Sequence, residues 1–192
     1  MKLFDVIVLA WLFLLAGIQG CSSIPGESGE EQAESIDSLV ERTLADLALQ
    51  QPGTTDEIAS SVGYIVMSNK ITKIPIVGAG SGYGVGINTA SGEKTYLKMA
   101  RFDVGGGWGV RSVRPVLIFQ DEKKYLDFIG GKWGATAGAE AAAKVGESGA
   151  AGGAGSGDVG DKGYSIYMIT DAGVSVTATV GIIRVKPVSL KK

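Results

Sequence analysis

The sequence predicts an α+β domain: a mainly antiparallel, glycine-rich twisted sheet or barrel-like sandwich, with two N-terminal helices and one inserted helix. Three observations predict it. An apolar stripe at helical spacing occupies residues 35–49. Runs of β-branched and aromatic residues, separated by Gly, Asn and Ser, fill most of the chain after residue 63. Successive runs are close enough to pair as hairpins, which favours antiparallel neighbours.

The helices are predicted from apolar spacing and from the signals at their ends. The stripe in residues 35–49 is typical of a helix packed on a core, and it consists of Ile36, Leu39, Val40, Leu44 and Leu47. Pro52 and Gly53 end this helix, after which Thr54 or Thr55 caps a second, short one. The inserted helix, residues 121–129, begins with acidic residues and ends at two glycines.

The strands are predicted from short β-rich runs bounded by turn residues. Asn69 and Lys70 are expected to form a turn, and residues 88–92 to join two strands as a hairpin. Residues 145–162 are rich in Gly, Ala and Ser and predict a mobile loop. The predicted strands are 63–67, 74–87, 94–102, 104–113, 116–119, 133–143, 164–169 and 173–185.

A ladder of glycines dominates the second strand. At period two these residues share one face of a strand, and they are Gly78, Gly80, Gly82, Gly84 and Gly86. Gly105, Gly107 and Gly109 repeat the pattern, and alternate alanines in 135–143 give a third smooth face. Two interpretations stay open: close packing of layers or sharp strand bending, which we favour, and a slot for a flat or chain-like ligand such as an acyl tail.

The first 20 residues have the pattern of a secretion signal. Lys2 precedes an apolar run, residues 6–18, that is shorter than the roughly 20 residues needed to cross a bilayer. The only cysteine, Cys21, follows Gly20. This end resembles the lipobox of bacterial lipoproteins, which implies cleavage before Cys21 and a diacylglycerol on its sulfur. The residue after the cysteine is Ser22 and not an Asp, which resembles the sorting signal of outer-membrane lipoproteins in enterobacteria. We therefore expect a lipid-anchored protein of the bacterial cell envelope, in the outer membrane and facing the periplasm.

Charge is distributed unevenly along the chain. Residues 21–60 carry nine acidic residues and one basic residue, whereas residues 61–192 carry 16 Lys and Arg against 10 Asp and Glu. Residues 21–34 are expected to be a flexible acidic linker with a span of about 20 Å, followed by a single domain over residues 35–192. A basic body is suited to an anionic surface; the alternative is that its excess charge serves solubility alone.

Several classes of function are disfavoured by what the sequence lacks. The chain has no histidine, which excludes Ser-His-Asp and Cys-His catalysis and the usual zinc sites. Residues 155–160 match the spacing of a dinucleotide-binding loop but lead into a predicted strand instead of a helix. We therefore expect no enzymatic activity, metal, cofactor or nucleic-acid partner.

The order of the motifs resembles the SYLF domain, a lipid-binding family of bacteria and eukaryotes, over about residues 61–181. The resemblance rests on residues 63–67, the ladder at 80–86, the glycines at 105–109 leading to 116–119 and Asp121, Trp133 followed by 138–143, and Tyr164 with Gly173 and Gly181. Eukaryotic members are known for binding phosphoinositides and other acidic phospholipids, so the resemblance implies affinity for lipid head groups. Their basic, amphipathic N-terminal region is acidic here.

Seven residues are candidates for contact with lipid head groups. Lys94, Tyr96 and Lys98 alternate on one face of a predicted strand, where an amphipathic ring and ammonium groups suit a membrane interface; the alternative is an ordinary solvated face. Lys70 and Lys73 lie in the expected turn. Arg111 and Arg114 flank a strand junction, and Arg binds phosphate with two hydrogen bonds.

Two hypotheses of function follow. The first is a membrane-anchored lipoprotein whose domain binds acidic phospholipid or another envelope amphiphile. The second is a structural or adaptor lipoprotein that binds an envelope protein through its smooth Gly/Ala faces.

Overall fold

The computed structural model describes residues 23–73, 76–132, 154–157 and 163–192. Two N-terminal helices precede the sheet and a third is inserted between strands, which confirms the predicted α+β class. In chain order the elements are α1 (Gly29–Gln50), α2 (Thr54–Ala59), β1 (Gly63–Lys73), β2 (Val77–Asn88), β3 (Lys94–Phe119), α3 (Glu122–Ile129), β4 (Ala154–Gly157) and β5 (Tyr164–Pro187).

The sheet is a β1–β2 hairpin held between the two halves of β3. Residues 94–104 of β3 pair with β2, and residues 109–119 pair with the opposite edge of the hairpin, on β1. The chain therefore turns round the hairpin tip through residues 105–108, three glycines and a tryptophan. β5 follows β3 from Leu97 to Phe119, and β4 pairs with β5. All pairs are antiparallel, and the described sheet is not closed.

Several predicted boundaries were wrong because pairing, and not local composition, sets strand length. The expected breaks within β3 are replaced by one register shift between Ser112 and Val113, and the last two predicted strands form one strand, β5. Asn69 and Lys70 do not turn: they continue β1 opposite Gly82 and Ser81. The second predicted strand begins later, at Val77, and residues 74–75 lie outside the described part.

The Gly/Ala-rich region is only partly described. The predicted strand at 133–143, with its alanine face, lies outside the described residues, as does most of the loop predicted at 145–162. Ala154–Gly157, within that predicted loop, instead forms β4 and pairs with residues 166–169 of β5. This is a correction to the loop prediction at those four positions, where backbone pairing replaces the free chain that the composition indicated.

The first helix begins earlier than predicted. Ser28 caps it by accepting a hydrogen bond from the Glu31 N–H, and the Glu31 carboxylate accepts one from the Glu27 N–H at 2.7 Å. The Ser28 hydroxyl thereby satisfies one of the N–H groups that a helix start leaves free, and the Glu31 carboxylate holds the residue before the cap. Residues 29–34, which we expected within a flexible linker, are therefore helical, and Ile24 before them is buried.

The two faces of the sheet are covered by different helices. On the α1 face, Leu39 and Leu47 pack against β-strand residues that include Val66 and Ile118. On the α3 face, Tyr125 and Phe128 pack in a cluster that includes Phe119, whose ring centroid lies 5.9 Å from that of Tyr125. Burial is the largest cause that raises the pKa of Tyr125 to about 12. The core therefore consists of two apolar layers with the sheet between them.

The glycine ladder lies on the α3 face, where the side chains of β1 occupy the space above it. Ile65, Met67, Asn69 and Ile71 stand opposite Gly86, Gly84, Gly82 and Gly80, respectively. A Cβ added at Gly84 would lie 2.7 Å from the Met67 Cα and closer still to the Val66 carbonyl oxygen. One added at Gly86 would lie 2.7 Å from the Ile129 side chain of α3. The structure supports close packing at these four glycines, not a ligand slot.

The remaining glycines of the pattern are described less fully. Gly78 is buried and pairs with Lys73, while Gly105 and Gly107 pair with residues 179 and 177 of β5. Gly109 has a φ of 148°, a conformation that L side chains rarely adopt. The bend of β3 round the hairpin therefore ends at a position whose backbone conformation favours glycine.

We predict that Gly84→Ala lowers the free energy of unfolding by about 1–3 kcal/mol, because the new methyl group overlaps the backbone of β1. The matched control is Gly53→Ala, since a Cβ at Gly53 meets nothing within 4 Å; its effect should stay within about 0.5 kcal/mol. Urea denaturation followed by circular dichroism measures both. Equal midpoints for the two variants would contradict the packing interpretation.

Candidate lipid-contact surface

The α1 face is covered by its helix at one end only. Lys94 and Tyr96 lie at the covered end of β3, where Lys94 Nζ donates a hydrogen bond to the Asp37 carboxylate at 2.6 Å. Farther along the same strand and on the same face are Lys98, Phe102 and Val104. Among the described residues, the apolar clusters that join α1 to the sheet do not include Phe102, Val104 or Val110.

Exposed apolar side chains cluster at the uncovered end. We define the apolar tip as five residues with exposed fractions of 67%, 37%, 51%, 53% and 47%: Ile76, Val77, Phe102, Val104 and Val110. Val77 pairs directly with Val104, and Phe102 pairs with Ala79. The β5 residues paired with Phe102 and Val104 are Ile182 and Val180, so the neighbouring positions are also apolar in type. Apolar side chains grouped and exposed at one end of a sheet are a candidate interaction surface.

Cations lie immediately behind the apolar tip on the same face. We define the basic band as Lys70, Lys98, Arg184 and Lys186, all exposed or half-buried. Arg184 pairs with Ala100 and Lys186 pairs with Lys98, which places these positions two and four residues from Phe102 along the strand. At about 3.4 Å per residue the separations are roughly 7 and 14 Å. An interfacial element buries apolar groups about 5–10 Å into the head-group boundary, so these cations suit the phosphate level.

Three of the predicted head-group residues contact α1 or the apolar cluster beneath it. Lys94 contacts α1 through Asp37, and the hydrogen bond that Lys94 donates to the Asp37 carboxylate is the largest cause that raises the pKa of Lys94. Tyr96 packs on an apolar cluster under α1 that includes Ile36 and Val85. Lys94 nevertheless stays exposed and Tyr96 half-buried, so the head-group role of this pair stays a prediction.

Arg114 is the third of these residues and lies beneath α1. Its Nε donates to the Asp171 carboxylate at 2.6 Å, its Nη2 to the Asp46 carboxylate at 2.6 Å, and its Nη1 to the Thr43 hydroxyl at 3.2 Å. The residue is only 9% exposed. It therefore links α1 to β5 across the sheet, and its predicted role at a lipid head group is wrong.

The other candidates divide differently. Lys70 and Lys98 belong to the basic band. Lys73 pairs with Gly78 and Gly109, and Arg111 pairs with Ile71, but neither side chain is described, so their role stays a prediction. Sequence reasoning missed Arg184, Lys186 and the apolar tip. Alternate residues from Lys94 to Val104 share one strand face, and that pattern would have placed Phe102 and Val104 beside Lys98. The strand was predicted to end at Phe102, so Val104 was not considered on that face.

Comparisons with known proteins give little on function. No protein-family model matches the chain. The chain is similar to Beta cell expansion factor A of Aeromonas veronii, with 24% identity over 154 residues. The match covers 80% of this chain and 56% of that protein, so the chain corresponds to little more than half of the relative's length. Within the described residues, no helix has both the length and the apolar character needed to cross a membrane.

We predict that Arg114→Met lowers the free energy of unfolding by about 2 kcal/mol. The substitution leaves Asp46 and Asp171 facing each other without their shared cation, and their partial exposure keeps the cost below that of a fully buried pair. The control is Arg184→Met in the exposed band, with an expected change within about 0.5 kcal/mol. Urea titration measures both, and an unchanged Arg114→Met midpoint would show that the linkage has no structural role.

Proposed function

We propose that this chain is a membrane-anchored lipoprotein of the bacterial envelope and that its domain binds acidic phospholipid or another envelope amphiphile. The observation that carries the proposal is the apolar tip with the basic band directly behind it, on the end of a sheet face that no described helix covers. The resemblance to SYLF domains agrees with this proposal. The name of the Aeromonas relative says nothing about lipids.

The energetics suit a contact that is weak alone and effective when anchored. Burial of a Phe side chain contributes about 1.5–3 kcal/mol, and each cation near an anionic surface contributes about 1 kcal/mol. Binding also restricts the motion of the domain, so only part of this sum is available as affinity. A lipid on Cys21 makes the second contact intramolecular, which raises the effective concentration of the membrane.

The adaptor hypothesis loses part of its predicted surface. The glycine face at Gly80–Gly86 is occupied by the side chains of β1, so it offers no smooth surface for a partner there. The predicted alanine face lies outside the described residues. Lipid contact through the apolar tip is therefore the function that the geometry supports best.

We predict that the chain from Ser22 onward sediments with vesicles that contain anionic phospholipid, and that the double variant Phe102→Ser and Val104→Ser reduces the partition coefficient at least tenfold. The variant removes apolar surface from the tip without changing charge. The control is Leu126→Ser, which removes a residue that is 52% exposed on α3. Equal loss in both variants, or no binding by the unaltered chain at low salt, would refute the proposal.

The basic band is tested by the double variant Lys98→Gln and Lys186→Gln. Loss of two cations near the surface, at about 1 kcal/mol each, should weaken binding roughly 30-fold and flatten its dependence on salt. Lys123→Gln is the control, because Lys123 forms an ion pair with Asp127 on α3, away from the basic band.

The lipid anchor is tested separately. We expect mass spectrometry of the protein purified from membranes to find a diacylglycerol on Cys21, and a bare Cys21 thiol would contradict the anchor.

A further inference from the structure

The segment from Ile24 to Ser28 is fixed to the domain instead of belonging to a flexible linker. Ile24 is only 3% exposed and packs in a cluster with Ile36, Val85 and Ile87. The Gln32 side-chain amide, which is also buried, donates hydrogen bonds to the carbonyl oxygens of Ile24 at 3.3 Å and Gly26 at 3.5 Å. The first turn of α1 therefore holds the residues that precede it.

The C-terminal tail closes over the same segment. Val188 and Leu190 pack on the cluster that contains Ile24. The Lys191 N–H donates to Gln32 Oε1 at 3.0 Å, and Lys191 Nζ donates to the Gly26 carbonyl oxygen at 3.0 Å. The two ends of the domain are fastened to each other, and we call this arrangement the terminal clamp.

The terminal clamp leaves a very short tether. Ile24 is three residues after Cys21, a distance of at most about 11 Å for extended chain. Ile24 packs beside Val85, whereas Val77 in the apolar tip lies eight residues farther along β2, or about 27 Å away. The apolar tip is therefore well beyond the reach of the tether, and only a tilt of the whole domain brings it to the bilayer that holds Cys21.

Helix α1 opposes that tilt. It lies on the same sheet face as the apolar tip, and a helix with its side chains is about 10 Å across, so it meets a flat surface before the tip does. Its exposed residues include four acids against one base, Arg42, so an anionic bilayer repels the helix; the acids are Glu30, Glu31, Glu34 and Glu41. Shape and charge both keep the tip away from the anchoring membrane.

We infer that the anchored protein binds a second, apposed anionic bilayer with its apolar tip and basic band, and so tethers two membranes. This inference rests on the proposed function, since it needs both the lipid anchor and the affinity of the tip for anionic lipid. Lipid at Cys21 supplies one attachment, and the tip, directed away from it by the terminal clamp, supplies the other.

The test uses the single cysteine to imitate the anchor. The mature chain, from Cys21, is coupled to anionic donor vesicles through a maleimide lipid, and protein-free anionic acceptor vesicles are added. We expect clustering, measured by light scattering and by energy transfer between donor and acceptor dyes. The matched variant carries a flexible Gly/Ser insert of about 12 residues between Ser22 and Ser23, which extends to about 40 Å and lets the tip fold back onto the donor. Its clustering should fall at least fivefold.

Each outcome is decisive. Binding of the uncoupled chain to vesicles without clustering by the coupled chain overturns the tethering inference alone, whereas failure of the uncoupled chain to bind overturns the proposed function as well. Equal clustering with and without the insert overturns the role of the short tether. Energy transfer to protein-free acceptors that lack anionic lipid, at the level seen with anionic acceptors, shows that the contact does not require anionic lipid and also overturns the inference. Phe102→Ser with Val104→Ser should abolish clustering while coupling proceeds normally.

Discussion

The pairing of β3 with both edges of the β1–β2 hairpin is the constraint on which the rest of the structure depends. A single strand meets β2 with its first half and β1 with its second, so it turns round the hairpin tip. That turn brings Val104 and Val110 to the same end of the sheet, although the chain between them passes outside the hairpin. Since β5 follows β3 from Leu97 to Phe119, Arg184 and Lys186 join the basic band beside Ala100 and Lys98.

The two faces of the sheet are covered by different kinds of packing. On the α3 face, large side chains of β1 lie across the glycines of β2, so a short helix of eight residues suffices to complete the layer there. On the α1 face, Val85 and Ile87 of β2 project toward a helix of 22 residues. That helix is held at two points, by Asp37 to Lys94 and by Thr43 and Asp46 to Arg114. Among the described residues, no apolar cluster joins that helix to the rows of Phe102 and Val104.

Local signals in the sequence predicted much of the fold. The acidic start and paired glycines of the inserted helix placed it correctly, with Asp121 as its N-cap, and the Asn88 turn formed as expected. Period-two glycines correctly indicated close packing at Gly80–Gly86. These features depend on residues close in sequence, or on backbone geometry that glycine alone permits.

The candidate site was much harder to predict, because it depends on register between distant segments. Arg114 resembled a free phosphate-binding side chain until Asp46 and Asp171, 68 and 57 residues away in sequence, were placed beside it. Lys186 lies next to Lys98 only because β5 pairs with β3 in one register. Asn69 and Lys70 are turn formers by composition, yet β1 continues through them since both neighbouring strands supply hydrogen-bonding partners.

The contacts of Lys191 with Gly26 and Gln32 have a consequence for the order of folding. Residues near 190 are translated long after residues near 26, so the segment around Ile24 is fully secured only once β5 and the residues that follow it have been made. A variant truncated after Pro187 would lack these contacts, and Gln32 and the cluster around Ile36 would hold that segment without them. The residues that follow β5 thus determine how freely the chain before α1 moves.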